Sequence, residues 1–286
     1  MVAFINNDNE KNFLYDKEIS YRMVCNMVKM YWPNQYKKEL CKYGLMLIKP
    51  EAIITGKAPE IIDILRTTGY ELIYYVQKNI GSVRASEMWK FSWLHSSLEN
   101  ILINQKLFSI CDSLILILRA QNLDNKSVAA MLTDLKGPAL EAQRKPHQIR
   151  YKLRPINYVL NYVHTSDDTS DFLREIGILL DWDELNQAFD AIVSNQVIPY
   201  PSIKVSALPK HNYTLDNWLN NIYNKIENSN IFTSDKKYII NNIKMFKKNT
   251  RHKITLNFLR ILCHYDLIEW NFETIVVLSN NINYLK

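Results

Sequence analysis

Glycine is scarce in this chain, 6 residues in 286, and proline adds only 9. A loop-rich β-sandwich and a disordered low-complexity chain both need more of these turn formers, so neither fits. Cysteine occurs four times, as Cys25, Cys41, Cys111 and Cys263, with no pair at metal-ligand spacing. That scatter reads as reduced thiols, not as a disulfide framework or a zinc site. No apolar run approaches the roughly 20 residues of a membrane-spanning helix. The first residues also lack the basic start and apolar stretch of a secretory signal, so a cytoplasmic protein with no membrane partner is expected. What the chain has in plenty is apolar residues, 47% against 22% charged, enough for one large core or two modest ones. The formal charge of +6 comes largely from "QRKPHQIRYKLR" and "KKYIINNIKMFKKNTRHK". Such runs are ordinarily solvated faces and also suit phosphates; no nucleic-acid-binding motif accompanies them, so nucleic acid is not an expected partner.

Hydrophobic periodicity orders the chain. Residues 1–42 read as a polar start and a helical arm, roughly Lys17 to Met30, with Tyr21, Val24, Met27, Val28 and Tyr31 on one face. The run "YGLMLIKP" is a short strand stopped by Pro50. After it, "APEIIDILRTTGYELIYYVQK" reads as an amphipathic helix, a cap at Gly69 and a second strand. A helical stretch from Ala85 to about Ser109 precedes a third strand, "SLILILRA"; "NKSVAAMLTDL" is another helix and "INYVLNYVH" a fourth strand. The polar knot Ser166, Asp167, Asp168, Thr169 and Ser170 then supplies capping side chains for a helix starting near Thr169. Phe172, Ile176, Leu179 and Leu180 form its apolar face, which leaves Asp171, Arg174 and Glu175 toward the edges.

Four strands interleaved with helices predict an α+β fold over residues 43–182, a ferredoxin-like four-stranded antiparallel sheet with covering helices. Beyond it only helical patterns continue, so residues 183–286 read as an α-helical C-terminal domain, with Val197 to Pro209 as a hinge. Trp218, Leu219, Ile222 and Ile226 form one apolar face there and Leu256, Phe258, Leu259 and Leu262 another, so these helices are expected to build a core.

The chemical oddity is a strand that delivers a single histidine, His164, to a strand-to-helix crevice. Amide dipoles at a helix start favour an anion in such a place. A neutral imidazole there is a good nucleophile when one nitrogen carries its lone pair and the other is held by an acceptor.

Several separated signatures give that histidine a context. The stretch "YGLMLIKPEAIITGKAPEIIDILRTTGYELI" resembles the opening of nucleoside diphosphate kinases, in which a strand ending Lys-Pro-Asp leads through a turn and a helix to a second strand. Lys49 and Pro50 match, and Glu51 stands in place of the aspartate. Asn161, His164, Ser166, Asp167 and Glu175 fall in the register of the family's Asn-x-x-His-Gly-Ser-Asp signature and its following glutamate, while "PHQIR" resembles Pro-Gly-Thr-Ile-Arg and places Arg150 on a nucleotide-binding arginine. The resemblance implies a phosphotransferase that moves the terminal phosphoryl group of a nucleoside triphosphate through a phosphohistidine at His164 to a nucleotide or specialised acceptor. It gives Glu175 and Ser166 a place beside the histidine and Lys49, Arg150 and Asn161 a place on the nucleotide, the first two as solvent-accessible phosphate donors. It also implies Mg²⁺ carried on the phosphates and not in an all-protein cage, and a possible homo-oligomer. The alternative is a nucleotide-binding module that no longer turns over, with the C-terminal helices serving interaction.

Departures from the pattern support that alternative. Thr165 stands where the family keeps a glycine, so the phosphate approach is expected to be narrower or re-aimed. A second nucleotide-binding arginine would fall near Ala129, leaving Lys126, Lys136 or Arg154 to replace it. For the base-stacking hairpin the sequence offers Trp93 and Phe108.

Overall fold

A computed structural model describes residues 9–33, 36–120, 126–203, 213–249 and 251–285. From the N-terminus run α1 (Asn9–Tyr15), α2 (Ile19–Tyr31), α3 (Tyr36–Leu40), β1 (Tyr43–Ile48), α4 (Pro50–Ile54), α5 (Ala58–Thr67), β2 (Tyr70–Lys78), α6 (Gly81–Trp89) and α7 (Leu98–Ile110). Then come β3 (Ser113–Ala120), α8 (Val128–Lys136), α9 (Ile149–Leu153), β4 (Val163–Thr165), α10 (Thr169–Leu179) and α11 (Trp182–Ser194). The last helices are α12 (Leu215–Glu227), α13 (Thr233–Lys248), α14 (Leu256–His264) and α15 (Phe272–Asn280). None of those described is long and apolar enough to cross a membrane.

The strands form the expected antiparallel sheet, in the order β2-β3-β1-β4. Central β1 is buried at every residue, which is why it reads as a continuous apolar run and not as an alternation. One sheet face carries Met46, Ile48, Leu114, Leu116 and Val163 against α5, α8 and α9. Alternation turns Leu45, Leu47, Ile115 and Ile117 to the other face, where α10 lies on β1 and α11 on β2. Gly44 permits a close seam on the α8 side: a Cβ there would come within 2.9 Å of the Ala129 amide nitrogen.

Two local readings change. Pro50 ends β1 but also opens α4, where its missing N–H costs nothing. The fourth strand is much shorter than "INYVLNYVH": only Val163–Thr165 pairs with β1. Asn157 is the first cause, because its side chain accepts the amides of Val159 and Leu160 at 3.0 and 2.9 Å and closes a local turn. Tyr162 is the second, with a left-handed φ of 72° that prevents extension before Val163.

The expectation that Asp171, Arg174 and Glu175 lie at helix edges also fails, since they are buried at 8%, 2% and 6% exposure. The N-terminal arm covers that side of α10. Gly177 lets it come close, as a Cβ there would meet the Ser20 carbonyl oxygen at 2.9 Å. Arg174 pairs with Glu18 at 2.9 Å, Lys11 with Asp171 at 2.7 Å, and the Tyr15 hydroxyl donates to Asp171 at 2.6 Å.

The chain divides into two compact units, residues 1–80 with 111–207 and residues 81–110 with 208–286. The arm therefore belongs with the sheet, and the division expected at residue 183 lies elsewhere. Residues 183–203 stay with the sheet because Tyr43 donates to the Ile192 carbonyl at 3.1 Å, Ile198 N–H to Leu72 at 2.9 Å and the Tyr200 hydroxyl to Tyr70 at 2.9 Å. Of the expected hinge, residues 204–209 lie outside the described residues. In the second unit Glu99 accepts the Leu256 amide at 2.7 Å, Ser97 donates to the Asn283 carbonyl at 2.5 Å, and Lys106 sits over the Trp270 ring. Trp218, Leu219, Ile222, Ile226, Phe258, Leu259 and Leu262 are all buried, as their spacing predicts, while Leu256 is half-buried. Phe108 is fully buried too, stacked on Trp89 at 4.9 Å, and Trp89 in turn stacks on Trp93. Phe108 is thus a core side chain and not an open stacking surface.

Candidate active site

β4 sets His164 opposite Leu47, and α10 begins after Asp168, whose carboxylate accepts the Asp171 amide at 2.9 Å. One turn further into the helix, Glu175 faces back toward the strand. Its Oε1 lies 2.8 Å from His164 Nε2, and its Oε2 accepts the Ser166 hydroxyl at 2.6 Å. An ionised carboxylate can only accept, so Nε2 carries the proton and the lone pair of the neutral ring resides on Nδ1. Ser166 is fully buried and Glu175 nearly so, whereas the His164 side chain keeps 20% exposure. Three of the predicted residues thus form one hydrogen-bonded group with its histidine open to solvent.

Lys49, Arg150 and Asn161 meet as well, but in another arrangement from the one expected. Lys49 and Arg150 are only 4% and 7% exposed. Lys49 Nζ donates to the Val159 carbonyl at 2.7 Å and pairs with Glu51 Oε1 at 3.0 Å, with Asn161 Oδ1 at 3.4 Å. Arg150 donates to the carbonyls of Gly137 (2.7 Å), Val163 (2.6 Å) and Asn161 (3.2 Å) and to Asn161 Oδ1 (2.9 Å). They are not solvent-accessible phosphate donors; their donors go to protein carbonyls, those of Val159 and Asn161 before β4, Val163 within it and Gly137 after α8. Burial pushes the Lys49 ammonium below its usual range, against the pull of Glu51. Burial, and then the neighbouring Arg144, bring the Arg150 guanidinium down to about 10.

Thr165 also behaves differently from expectation. Its neighbour His164 points to the α10 side of the sheet, so strand alternation sends the threonine side chain the other way. There it is fully buried, 2.8 Å from the Thr133 hydroxyl of α8. The extra Cβ therefore does not stand on the histidine's side of the strand. Ala129 is buried in the α8 core seam beside Gly44. The last turn of the same helix carries Lys136, whose Nζ lies 3.3 Å from Asp167 Oδ1 and 3.5 Å from the Thr165 carbonyl. Thr133 Oγ1 lies 3.1 Å from both the Ser166 carbonyl and Asp167. Burial lowers the Lys136 pKa, with Asp167 opposing the shift.

The start of α10 is already met by carboxylates. Asp168 caps it and Lys11 bridges Asp168 and Asp171 at 2.6 and 2.7 Å, so its first amides and its dipole have partners within the chain. Burial first, and then Glu175 and Asp168, raise the Asp171 pKa. Among the described residues no group of three or more His, Cys, Asp or Glu is placed to hold a metal ion.

Sequence reasoning missed Glu51 as the buried partner of Lys49, and Tyr162, whose amide donates to Glu51 at 3.0 Å. Nothing in the residue types announces a left-handed tyrosine. Thr133 had a signal, being one turn before Lys136 on one helix face.

Residues 42–185 match the sequence model of the nucleoside diphosphate kinase family. Among solved structures, the chain is similar to a transition state mimic of nucleoside-diphosphate kinase from Borrelia burgdorferi with bound vanadate and ADP, at 15% identity and a TM-score of 0.41, covering 56% of this chain and 92% of that one. No curated protein matches it.

Proposed function

Because the chain belongs to the nucleoside diphosphate kinase family through residues 42–185, we propose that it is a phosphotransferase that works through a phosphohistidine at His164. The observation that carries this reading is the Glu175–His164 contact of 2.8 Å. With Nε2–H fixed on the carboxylate, the Nδ1 lone pair attacks the terminal phosphorus of a nucleoside triphosphate. An N–P bond forms as the bond from that phosphorus to its bridging oxygen breaks, and the nucleoside diphosphate leaves with the electron pair. Transfer to the acceptor reverses these steps at an acceptor oxygen. Growing positive charge on the ring is stabilised by Glu175, and Ser166 holds the second carboxylate oxygen so that the first keeps its aim.

Phosphoryl transfer asks mainly for positioning and charge neutralisation. Lys136 is the cation we assign to the incoming phosphates, in place of the arginine expected near Ala129. Mg²⁺ would arrive on the phosphates of the nucleotide, where it screens their charge. We assign acceptor identity to the C-terminal helices from α12 onward, which build a core together with residues 81–110.

Brief incubation of the full chain with ATP and Mg²⁺, followed by intact mass and peptide mapping, tests the reading. One acid-labile phosphoryl group on His164 is the expected result. A second reading, nucleotide binding without turnover, is favoured by Lys49 and Arg150, which use their donors on protein carbonyls. Tight nucleotide binding with an unmodified His164 would select it.

A further inference from the structure

The segment after α8 holds a cavity of approximately 270 Å³ lined by Glu141, Arg144, Arg150, Tyr151 and Arg154. Three guanidinium groups thus converge against one carboxylate. Arg150 forms a buried wall at 7% exposure, and its hydrogen bonds go to uncharged oxygens, which satisfy its donors without neutralising its charge. Arg144 donates from Nε to Pro138 O at 3.2 Å and from Nη2 to Ala139 O at 2.6 Å, which fixes its plane while its Nη1 edge keeps donors for another acceptor. Arg154 caps α9 in a left-handed conformation, φ 47°, and makes no hydrogen bond or ion pair among the described residues. Like charges gathered this way repel one another, and the repulsion is felt at Arg150, where Arg144 is the main cause after burial of the lowered pKa. One arginine would suffice to clip the loop at Pro138 and Ala139. Three with one acid are the arrangement of an anion site, because planar forks match the oxygens of a phosphate. Tyr151, 49% exposed on the wall, adds a flat apolar surface.

We propose that this cavity binds the phosphate of a small phosphomonoester, held by Arg144 and Arg154 over Arg150, with the body of the ligand against the Tyr151 ring. Its volume falls just below the range of about 300–1,000 Å³ typical of drug-sized ligands, which fits a phosphate with a small organic body better than a whole nucleoside triphosphate. The inference does not depend on turnover at His164.

Calorimetric titration of the full chain with inorganic phosphate and with phenyl phosphate tests it, and since neither probe is ATP it reads equally well if His164 never accepts a phosphoryl group. Both should bind, phenyl phosphate several-fold more tightly if the ring at Tyr151 takes part. R154Q removes a guanidinium with no bond to the fold and should raise Kd about tenfold, the order expected for a charge-assisted hydrogen bond. E141Q should lower Kd several-fold by removing the one opposing charge, an effect that loss of structure cannot mimic. Unchanged affinity in both variants, or loss of binding in K136Q while R154Q binds normally, would overturn the proposal.

Discussion

Glu175→Gln isolates the interaction on which the proposed chemistry depends. Glutamine matches glutamate in size, so the buried site keeps its volume, but one carboxylate oxygen becomes an NH₂. Wild-type Glu175 accepts twice, from His164 Nε2 at 2.8 Å and from Ser166 at 2.6 Å. The amide accepts through one oxygen only. If that oxygen keeps Ser166, the NH₂ faces Nε2, and the ring answers by moving its proton to Nδ1, the atom that must attack. If it keeps His164, Ser166 loses its acceptor and the charge that stabilises the imidazolium is gone either way. A hydrogen bond to a charged group contributes about 1.5–3 kcal/mol, and each 1.36 kcal/mol is a factor of ten in rate. Phosphorylation of the variant by ATP should therefore slow by roughly 10- to 150-fold, measured by rapid quench and intact mass. Ser166→Ala serves as the comparison: it leaves both oxygens and the charge in place, so its effect should stay below tenfold. A Glu175→Gln protein that phosphorylates His164 at the wild-type rate would refute the tautomer argument.

Lys49→Met leaves the fully buried Glu51 carboxylate without its cation and should cost about 3–5 kcal/mol of stability, largely recovered in Lys49→Met/Glu51→Gln; an unchanged thermal midpoint with lost phosphorylation would instead make Lys49 a substrate donor. Thr165→Gly should not speed phosphorylation, since the side chain bonds Thr133, and should lower stability by about 1–2.5 kcal/mol; faster turnover would show that it stands in the phosphate's way. Asp171 has a folded pKa above its unfolded value of about 3.9, so folding favours its protonated form, and its contribution is present below that value and lost as pH rises through the folded pKa. Urea titrations from pH 3.5 upward should accordingly show the stability advantage of wild type over Asp171→Asn shrinking as pH rises, and an advantage that grows would contradict the shift. A chain ending at residue 181 deprives α7 of Leu256, Trp270 and Asn283, and limited proteolysis should then cut residues 81–110 far faster than in the full chain; equal rates would break the grouping of those segments.

The element order and the sheet were legible because they rest on local signals: the apolar run of β1, the cap at Asp168, the helical spacing of Phe172 and Ile176. The place of Glu175 and Ser166 beside His164 came from the resemblance and not from spacing, and the strand, capped turn and helix bring Glu175 to 2.8 Å from the histidine and 2.6 Å from Ser166. What could not be read was set by distant parts of the chain. Asp171 and Arg174 look like edge residues until Lys11, Tyr15 and Glu18, more than 150 positions earlier, cover them, and Glu175 looks like one until β4 brings His164 and Ser166 against it. Similarly, the helical stretch from Ala85 has the texture of an insertion between strands. Only contacts with Leu256 and the last residues show which core it joins.

Glu51 illustrates how one substitution can move a duty from one residue to another. Its carboxylate, longer by a methylene than the aspartate of the resembling motif, reaches both Lys49 Nζ and the Tyr162 amide at 3.0 Å, while Oε2 is buried with no hydrogen-bond partner. Tyr162 returns its carbonyl to the Lys49 amide at 2.9 Å, so residue 162 is tied at both ends just where its φ is left-handed. Left-handed backbone at a bulky residue costs of order 1–3 kcal/mol and persists only where surroundings impose it. Here Lys49, Glu51 and Arg150 impose it, and the result is that Val163 enters the sheet and His164 turns toward α10. Cations committed to holding that backbone have few donors left for phosphate oxygens. If His164 is to receive a phosphoryl group, neutralisation then falls on a cation bound less tightly into the fold, and Lys136, which contacts the exposed Asp167 and one carbonyl, meets that condition.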